Sequence, residues 1–121
     1  MSYVGGPSRK YLFLAYRDEE QWQALSSSER DTFMSACQVS EQELQQSGHL
    51  FALQTNNTAL TVRFQNGQVS LTDSLYGETD QAKVQLFFIK ARDLNEAIQL
   101  AAKMPQARRG FIEVRSVIEA T

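Results

Sequence analysis

The segment "KYLFLAY", residues 10–16, decides the fold because it is a short strand with two apolar faces. A polar segment follows it, and an apolar run of this length and aromatic content is typical of a strand. Side chains alternate in direction along a strand. One face therefore carries Tyr11, Phe13 and Ala15, and the other carries Leu12, Leu14 and Tyr16. Strands with this pattern are covered on both sides of their sheet, so a second layer is expected on each face.

Five further strands are predicted along the chain. Residues 49–54, 84–91 and 110–117 are apolar runs of strand length. Two alternating segments meet at Asn66-Gly67, the dipeptide that suits a tight type I′ turn, and they predict a hairpin. One face of this hairpin is expected to hold Leu60, Val62, Phe64, Val69 and Leu71.

Two helices are predicted between these strands. Serines in residues 25–31 offer N-caps for the first helix, and Gly48 is its expected end. Asp93 and Glu96 have the spacing of a capping box at the start of the second helix, which Pro105 ends. The first apolar stripe is expected to contain Phe33, Met34, Cys37 and Leu44. The second is expected to contain Leu94, Ala97, Ile98, Ala101 and Met104.

This order predicts an α+β fold, the ferredoxin-like split βαβ arrangement with an inserted β-hairpin. Two helices cover only one face of such a sheet. The other face is apolar, and each large side chain left in water forgoes about 1.5–3 kcal/mol of burial. A second copy packed sheet against sheet around a two-fold axis would cover it and form a dimeric α/β barrel. Alternatively, the hairpin folds over this face and the chain stays monomeric.

Length and composition restrict the class of protein. The 121 residues are enough for one domain, which is expected to span residues 10–121 after a flexible tail of residues 1–9. A net charge of −2 gives no electrostatic signal for nucleic acid or an anionic membrane. No apolar stretch reaches the length of a membrane span and the first residues lack a signal-peptide core, so a cytoplasmic protein is expected.

The chain carries few residues for metal or cofactor chemistry. The lone Cys37 excludes an intrachain disulfide, and it lies on a predicted apolar stripe where a buried thiol is common. His49 is the sole histidine and is interpreted as a residue at a strand edge. The motifs of nucleotide-binding, phosphate-binding and zinc-protease sites are absent. We therefore expect neither a metal nor a cofactor.

The segment "TDSLYGET", residues 72–79, is the candidate site. Asp73 and Glu78 are a pair of carboxylates that can divide acid and base roles when their environments separate their pKa values. In the structural alternative, Asp73 caps a turn while Glu78 is solvated or binds Arg115. Glu113 and Arg115 share the strand face directed away from the helices, where they pair with each other or with the loop carboxylates. Tyr16 and Tyr76 are the expected aromatic lining.

Five segments together carry a resemblance to a known family: "KYLFLAYRDEEQW", "LSSSER", "TDSLYGET", "ARDLNEAIQLAAKMPQARRG" and "IEVRSV". In this order and spacing they resemble the YCII-related proteins, specifically the DGPF domain branch. The resemblance implies a dimeric α/β barrel. The wider group is similar to muconolactone-isomerase-type barrels and includes a dehydrochlorinase, and some members have a His–Asp pair proposed as catalytic. Some DGPF proteins are encoded beside sigma factors or fused to them.

The chain departs from that family at its candidate site. The eponymous Asp-Gly-Pro-Phe is Asp-Ser-Leu-Tyr at residues 73–76, although Glu78-Thr79 matches the family's Glu-Thr. Val84 and Gln85 stand where the family usually has two glycines. Their larger side chains fill space near the sheet, so a pocket here is expected to be smaller or reshaped.

These observations predict a small-molecule-binding protein whose cleft is lined by Asp73, Glu78, Glu113 and Arg115, with Tyr16 and Tyr76. If it is an enzyme, Asp73 acts as the base in proton transfer on an organic acid or lactone-like substrate, and Arg115 stabilises developing negative charge. The alternative is a noncatalytic interaction or ligand-sensing protein in a sigma-factor-associated setting. The sequence leaves open which of the two applies.

Overall fold

The computed structural model describes residues 9–51, 60–73 and 84–118. The first elements are strand β1 (Arg9–Arg17), helices α1 (Glu19–Ala24) and α2 (Ser27–Gln46), and strands β2 (Leu60–Gln65) and β3 (Gln68–Asp73). Strand β4 (Val84–Ala91), helix α3 (Leu94–Lys103), a 3-10 turn (Pro105–Ala107) and strand β5 (Gly110–Ser116) follow. All predicted strands and helices other than the strand at 49–54 therefore exist, within a few residues of their expected ends.

The central sheet is antiparallel, with β1 between β4 and β5. Residues 49–51 run along the outer edge of β4, where Leu50 forms a bridge with Ile89. The amide of Phe51 donates to the carbonyl oxygen of Phe88 at 3.0 Å. The second predicted strand is thus a single bridge in the described part of the chain, and residues 52–54 lie outside it. The resulting order is that of the ferredoxin-like split βαβ arrangement, which confirms the α+β class.

The predicted caps are formed at both long helices. Ser26 and Glu29 make a reciprocal capping box at the start of α2, and Gly48 follows its end with a positive φ of 81°. At α3, the Asp93 side chain accepts from the amide of Glu96 at 2.9 Å, but the Glu96 carboxylate accepts from the amide of Arg92 at 2.8 Å. The predicted capping box is therefore only half formed. Helix α1 is additional to the prediction, because a helix of 6 residues is too short to show a period.

The core lies between the helices and one face of the sheet. Its largest fully buried side chains are Phe13, Phe87, Ile89 and Met104. On α3, Ala97 and Ala101 are buried, and their small side chains allow the helix to approach the sheet closely. Leu94, Ile98 and, on α2, Met34 lie beside the lines of closest approach and are about half exposed (48%, 50% and 52%). The prediction that Leu94 and Ile98 belong to the inner stripe of the second helix was therefore wrong.

Cys37 is buried on α2, as its position on the apolar stripe predicted. Burial, and secondarily the charge of Glu41, raises the pKa of Cys37 to about 11 from an ordinary value of 9.0. The thiol therefore stays protonated at neutral pH. Because the folded pKa is the higher one, the neutral thiol favours the folded state below about pH 9, and this contribution is lost as the pH rises through about 11.

We expect Cys37 to be unreactive in the folded protein. The thiolate is the nucleophile, so at pH 8 alkylation by iodoacetamide should be roughly 100-fold slower than in denaturant. Mass spectrometry of the alkylated chain over time measures both rates, and a Cys37→Ser variant provides the unlabelled control. Equal labelling rates with and without denaturant would contradict the buried environment.

Strands β2 and β3 form a separate two-stranded sheet. Asn66 and Gly67 at its turn have φ values of 54° and 73°, consistent with the predicted type I′ turn. The register places Val62 opposite Leu71 and Phe64 opposite Val69, confirming that the predicted apolar residues share one face. This hairpin face, defined as Leu60, Val62, Phe64, Val69 and Leu71, has every side chain 63–72% exposed.

Candidate functional site

The sheet face opposite the helices is called the open face here. Its side chains are Lys10, Leu12, Leu14, Tyr16, Val84, Leu86, Phe88, Lys90, Phe111, Glu113 and Arg115. The register sets Tyr16 between Val84 and Phe111, and Leu14 between Leu86 and Glu113. Most of this face is apolar and half-buried. Glu113 and Arg115 lie on the edge strand β5, and Lys10 and Lys90 lie as a pair on β1 and β4.

Tyr16 lies on the open face at the end where β5 begins. Its ring stacks on that of Phe111, with centroids 4.7 Å apart and planes at 19°. A hydrogen bond between the tyrosine hydroxyl and the carboxylate of Glu113 raises the pKa of Tyr16 above 10.0, and burial and the charge of Glu113 act in the same direction. The hydroxyl therefore remains a neutral donor throughout the physiological range.

Glu113 also pairs with Arg115, as one of the sequence alternatives predicted. A guanidinium Nη of Arg115 lies 3.8 Å from Oε2 of Glu113, and the two side chains are 63% and 43% exposed. A solvated pair at this distance contributes little to stability. The guanidinium has five N–H donors in a planar fork, so it retains the capacity to bind a carboxylate in addition to Glu113.

Gly110 brings the two strands of this site together. It begins β5 opposite Arg17, and a β-carbon at this position would overlap the carbonyl oxygen of Tyr16. The carbonyl carbon of Tyr16 would lie 3.0 Å from the added carbon and the Cα of Arg17 3.2 Å from it. Only glycine allows this approach, which places Phe111 directly against Tyr16.

The two departures from the family's glycines lie on opposite faces of β4. Val84 is paired with Tyr16 and occupies the open face, where it is half-buried. Gln85 is paired with Ala15 on the helix side, and its Oε1 accepts from Nε2 of the buried Gln106 at 3.3 Å. Both side chains were predicted to fill space near one pocket, but only Val84 lies on the open face. Gln85 is held within the other layer.

The structure brings together three of the six predicted site residues: Tyr16, Glu113 and Arg115. Asp73 is the last residue of β3 and pairs through its backbone with Leu60. Its side chain, and the whole of Tyr76 and Glu78, lie outside the described residues. The catalytic pair of Asp73 and Glu78 therefore stays a prediction. Phe111 is the residue that sequence reasoning missed, because its stacking on Tyr16 depends on the register between strands about 95 residues apart in sequence.

A concavity lies on the helix side of the fold. It is a cleft of about 440 Å³ lined mainly by α2 and α3, with Glu43, His49 and Lys103 among its polar residues. Nδ1 of His49 lies 2.8 Å from the carbonyl oxygen of Lys90. That contact requires a proton on Nδ1, which leaves Nε2 as an acceptor in the neutral ring. Sequence reasoning had treated this histidine as an ordinary edge residue.

Across residues 9–51, 60–73 and 84–118, no group of three or more His, Cys, Asp or Glu side chains is positioned to hold a metal ion. In the same residues, no helix has the length and apolar character needed to cross a membrane.

Comparison with known proteins places the chain in a family. The sequence model of the YCII-related domain matches residues 10–121, which covers all but the first nine residues. A search of curated proteins found no match to the chain. The fold order and the length of the matched region agree with the resemblance drawn from the sequence motifs. The chain belongs to the YCII-related family.

Proposed function

We propose that this protein is a homodimer that binds a small organic acid, with Tyr16, Glu113 and Arg115 forming the binding site on the open face. The observation that carries the proposal is the cluster at the end of β1 and β5. A neutral hydroxyl donor, a carboxylate and a partly exposed guanidinium meet beside a stacked aromatic pair. Few convergent polar groups on a mainly apolar surface are typical of small-molecule sites.

The charges favour an anionic ligand. Arg115 is 63% exposed and its contact with Glu113 is long, so the guanidinium can turn toward a carboxylate without losing a strong ion pair. The rings of Tyr16 and Phe111 offer an apolar surface next to it. An organic acid with a small apolar body matches both parts of this surface.

Dimerisation is part of the same proposal. Leu12, Leu14 and Leu86 form an apolar strip on the open face, and the helices pack on the other side of the sheet. A second copy facing this strip would cover it and would exclude water from the acid-binding cluster. Exclusion of water strengthens the contact between a guanidinium and a carboxylate. We also propose, from the sequence, that the protein is cytoplasmic and that it belongs to the DGPF branch.

In the enzyme form of the proposal, Asp73 removes a proton from the bound organic acid or lactone-like substrate. Arg115 then stabilises the negative charge that develops on the substrate oxygen. Glu78 would supply the complementary acid, and Tyr76 would line the pocket with Tyr16. The motif Asp73-Glu78 within residues 72–79 supports this form.

A noncatalytic ligand-sensing role is supported by a different observation. Val84 fills the open face directly beside Tyr16, where the resembled family usually has glycine. A narrower site with the same anion-binding groups favours retention of a small acid over turnover of a bulkier substrate. The regulatory setting of some DGPF proteins agrees with this form.

The test is a binding screen with a defined set of acids. Benzoate, 4-hydroxybenzoate and succinate are titrated by calorimetry into the wild type, Arg115→Gln and the surface control Arg92→Gln. Loss of a charged hydrogen bond of about 1.5–3 kcal/mol should weaken binding roughly 10–100-fold in Arg115→Gln and leave the control unchanged. Equal affinities in all three proteins would overturn the assignment of the site.

Asp73→Asn separates the two forms once an acid binds. In the enzyme form, this variant binds succinate, the acid of the set that carries α-protons, with unchanged affinity. It catalyses exchange of those protons with deuterated water far more slowly than the wild type does. In the sensing form, neither protein accelerates that exchange. Nuclear magnetic resonance of the free acid measures it directly.

A further inference from the structure

We propose that the β2–β3 hairpin is a dimerisation arm whose hairpin face packs on a second copy of the chain. This inference rests on the proposed homodimer and deepens it by naming the element that stabilises the dimer. It begins from the exposure of the hairpin face, where Phe64 is 72% exposed and Val62, Val69 and Leu71 are 63–64% exposed.

An exposed hairpin of this kind lacks the support that its stability requires. A two-stranded hairpin is marginally stable alone in water and needs a further strand or layer against its apolar face. The strands hydrogen-bond to each other with a complete register from Leu60–Asp73 to Gln65–Gln68. Within the described part of the chain, no element covers the apolar side of this pair, as its exposure shows. In this proposal, a second copy of the chain supplies that cover.

The apolar areas indicate why that cover is a second copy. Burying a large apolar side chain removes roughly 60–120 Å² from water. Six of the open-face side chains are half-buried and keep roughly a third of that area or less, so with Phe111 the face offers only about 150–300 Å². A stable interface buries roughly 800 Å² per partner, of which about 450–520 Å² is apolar.

The open face alone thus falls short of a stable dimer, and the hairpin face supplies the difference. At about two-thirds exposure, its five side chains add roughly 200–400 Å² of apolar surface. Two-fold symmetry buries both surfaces twice in a single assembly, because each subunit offers the same pair. A dimer that uses the open face and the hairpin face reaches the area that the open face lacks.

The experiment compares two variants of β2 that differ only in the face they alter. Val62→Thr/Phe64→Thr removes apolar surface from the hairpin face. Arg63→Thr/Gln65→Thr also introduces two threonines, but on the opposite, polar face of the same strand. Threonine keeps a high strand propensity in both variants. Sedimentation velocity from 0.1 to 100 µM, with far-ultraviolet circular dichroism as a check on folding, measures the dissociation constant of each.

We expect the sedimentation of the wild type to give a mass of twice the 13.7 kDa subunit. The dissociation constant of the hairpin-face variant should be at least about 100-fold higher than that of the wild type. The opposite-face control should stay within about threefold of the wild type. If the wild type is dimeric and the hairpin-face variant has the same dissociation constant, the proposed dimerisation arm is wrong and the homodimer still stands. A monomeric wild type at every concentration would overturn both.

A second measurement does not depend on any variant. Isotope-filtered nuclear Overhauser spectra of a dimer mixed from labelled and unlabelled copies detect contacts between subunits. The methyl groups of Val62, Val69 and Leu71 are expected to show contacts with the unlabelled copy. If the open-face leucines show contacts between subunits and the hairpin methyl groups show none, the proposed dimerisation arm is wrong.

Discussion

Replacing Phe13 with alanine is expected to lower the free energy of unfolding by about 3–5 kcal/mol, the largest stability effect predicted for this chain. Phe13 is fully buried and lies between Phe87 and Val114 in the sheet register. Its removal forfeits the transfer of an aromatic ring from water and leaves a cavity that close-packed neighbours fill only in part. Since domains of this size have about 5–15 kcal/mol of stability in total, much of the fold's margin would be lost.

Urea denaturation followed by circular dichroism measures this effect, with the protein concentration held fixed because a dimer's stability depends on it. Phe111→Ala is the matched control, since Phe111 is 58% exposed and its main contact is the ring of Tyr16. The control should cost about 1 kcal/mol. Equal losses for the two phenylalanines would contradict the assignment of the core to the helix side of the sheet.

Replacing Gly110 with alanine is expected to cost about 3 kcal/mol and to disrupt the candidate site. The added β-carbon overlaps the backbone of Tyr16, and a strand backbone cannot yield as a flexible side chain can. Strand β5 must therefore move away from β1 at this end. The movement would separate Phe111 from Tyr16 and weaken binding of organic acids along with stability.

The control for this change lies at the other end of the same strand. Ser116→Ala alters an exposed side chain and should stay within about 0.5 kcal/mol of the wild type. Thermal unfolding gives the stabilities, and the near-ultraviolet signal of the tyrosines reports the loss of stacking. A Gly110→Ala protein with wild-type stability and an unchanged aromatic signal would show that β1 and β5 are less closely packed than described.

The elements of this protein that sequence predicts well are those controlled by local patterns. The type I′ turn at Asn66-Gly67 follows from the low cost of positive φ at these two residue types, and both adopt it. The caps at Ser26 and Asp93 follow from a side-chain oxygen placed to accept from the amide three residues later. Each of these features depends on residues only a few positions apart.

Helix packing was predicted less well, because a periodic pattern shows which side of a helix is apolar and not how wide its contact is. On α3 the contact is made by Ala97 and Ala101, and Leu94 and Ile98 remain half-exposed beside it. The width of the buried stripe depends on how closely the helix approaches the sheet. That distance is set by side chains from several elements at once.

In the candidate site, too, the sequence predicted the local contact and missed the contacts between strands. Alternation along β5 indicated that Glu113 and Arg115 share a face, and the two side chains do form a pair. Alternation alone could not reveal that Tyr16 bonds to Glu113, that Phe111 stacks on Tyr16, or that Val84 and Gln85 act in different layers. These contacts depend on the register between distant strands, and a slip of one residue would reverse every one of them.

The sequence by itself determined the order of the five strands β1 to β5 and the two long helices, the hairpin turn, the N-caps of those helices and the family. Each of these rests on a short local pattern or on motifs in a constant order. Only the tertiary structure decided which apolar side chains are buried, that the hairpin face is exposed, and that Tyr16 joins Glu113. Burial and register are properties of segments that meet in space. Their energies depend on neighbours that no local pattern specifies.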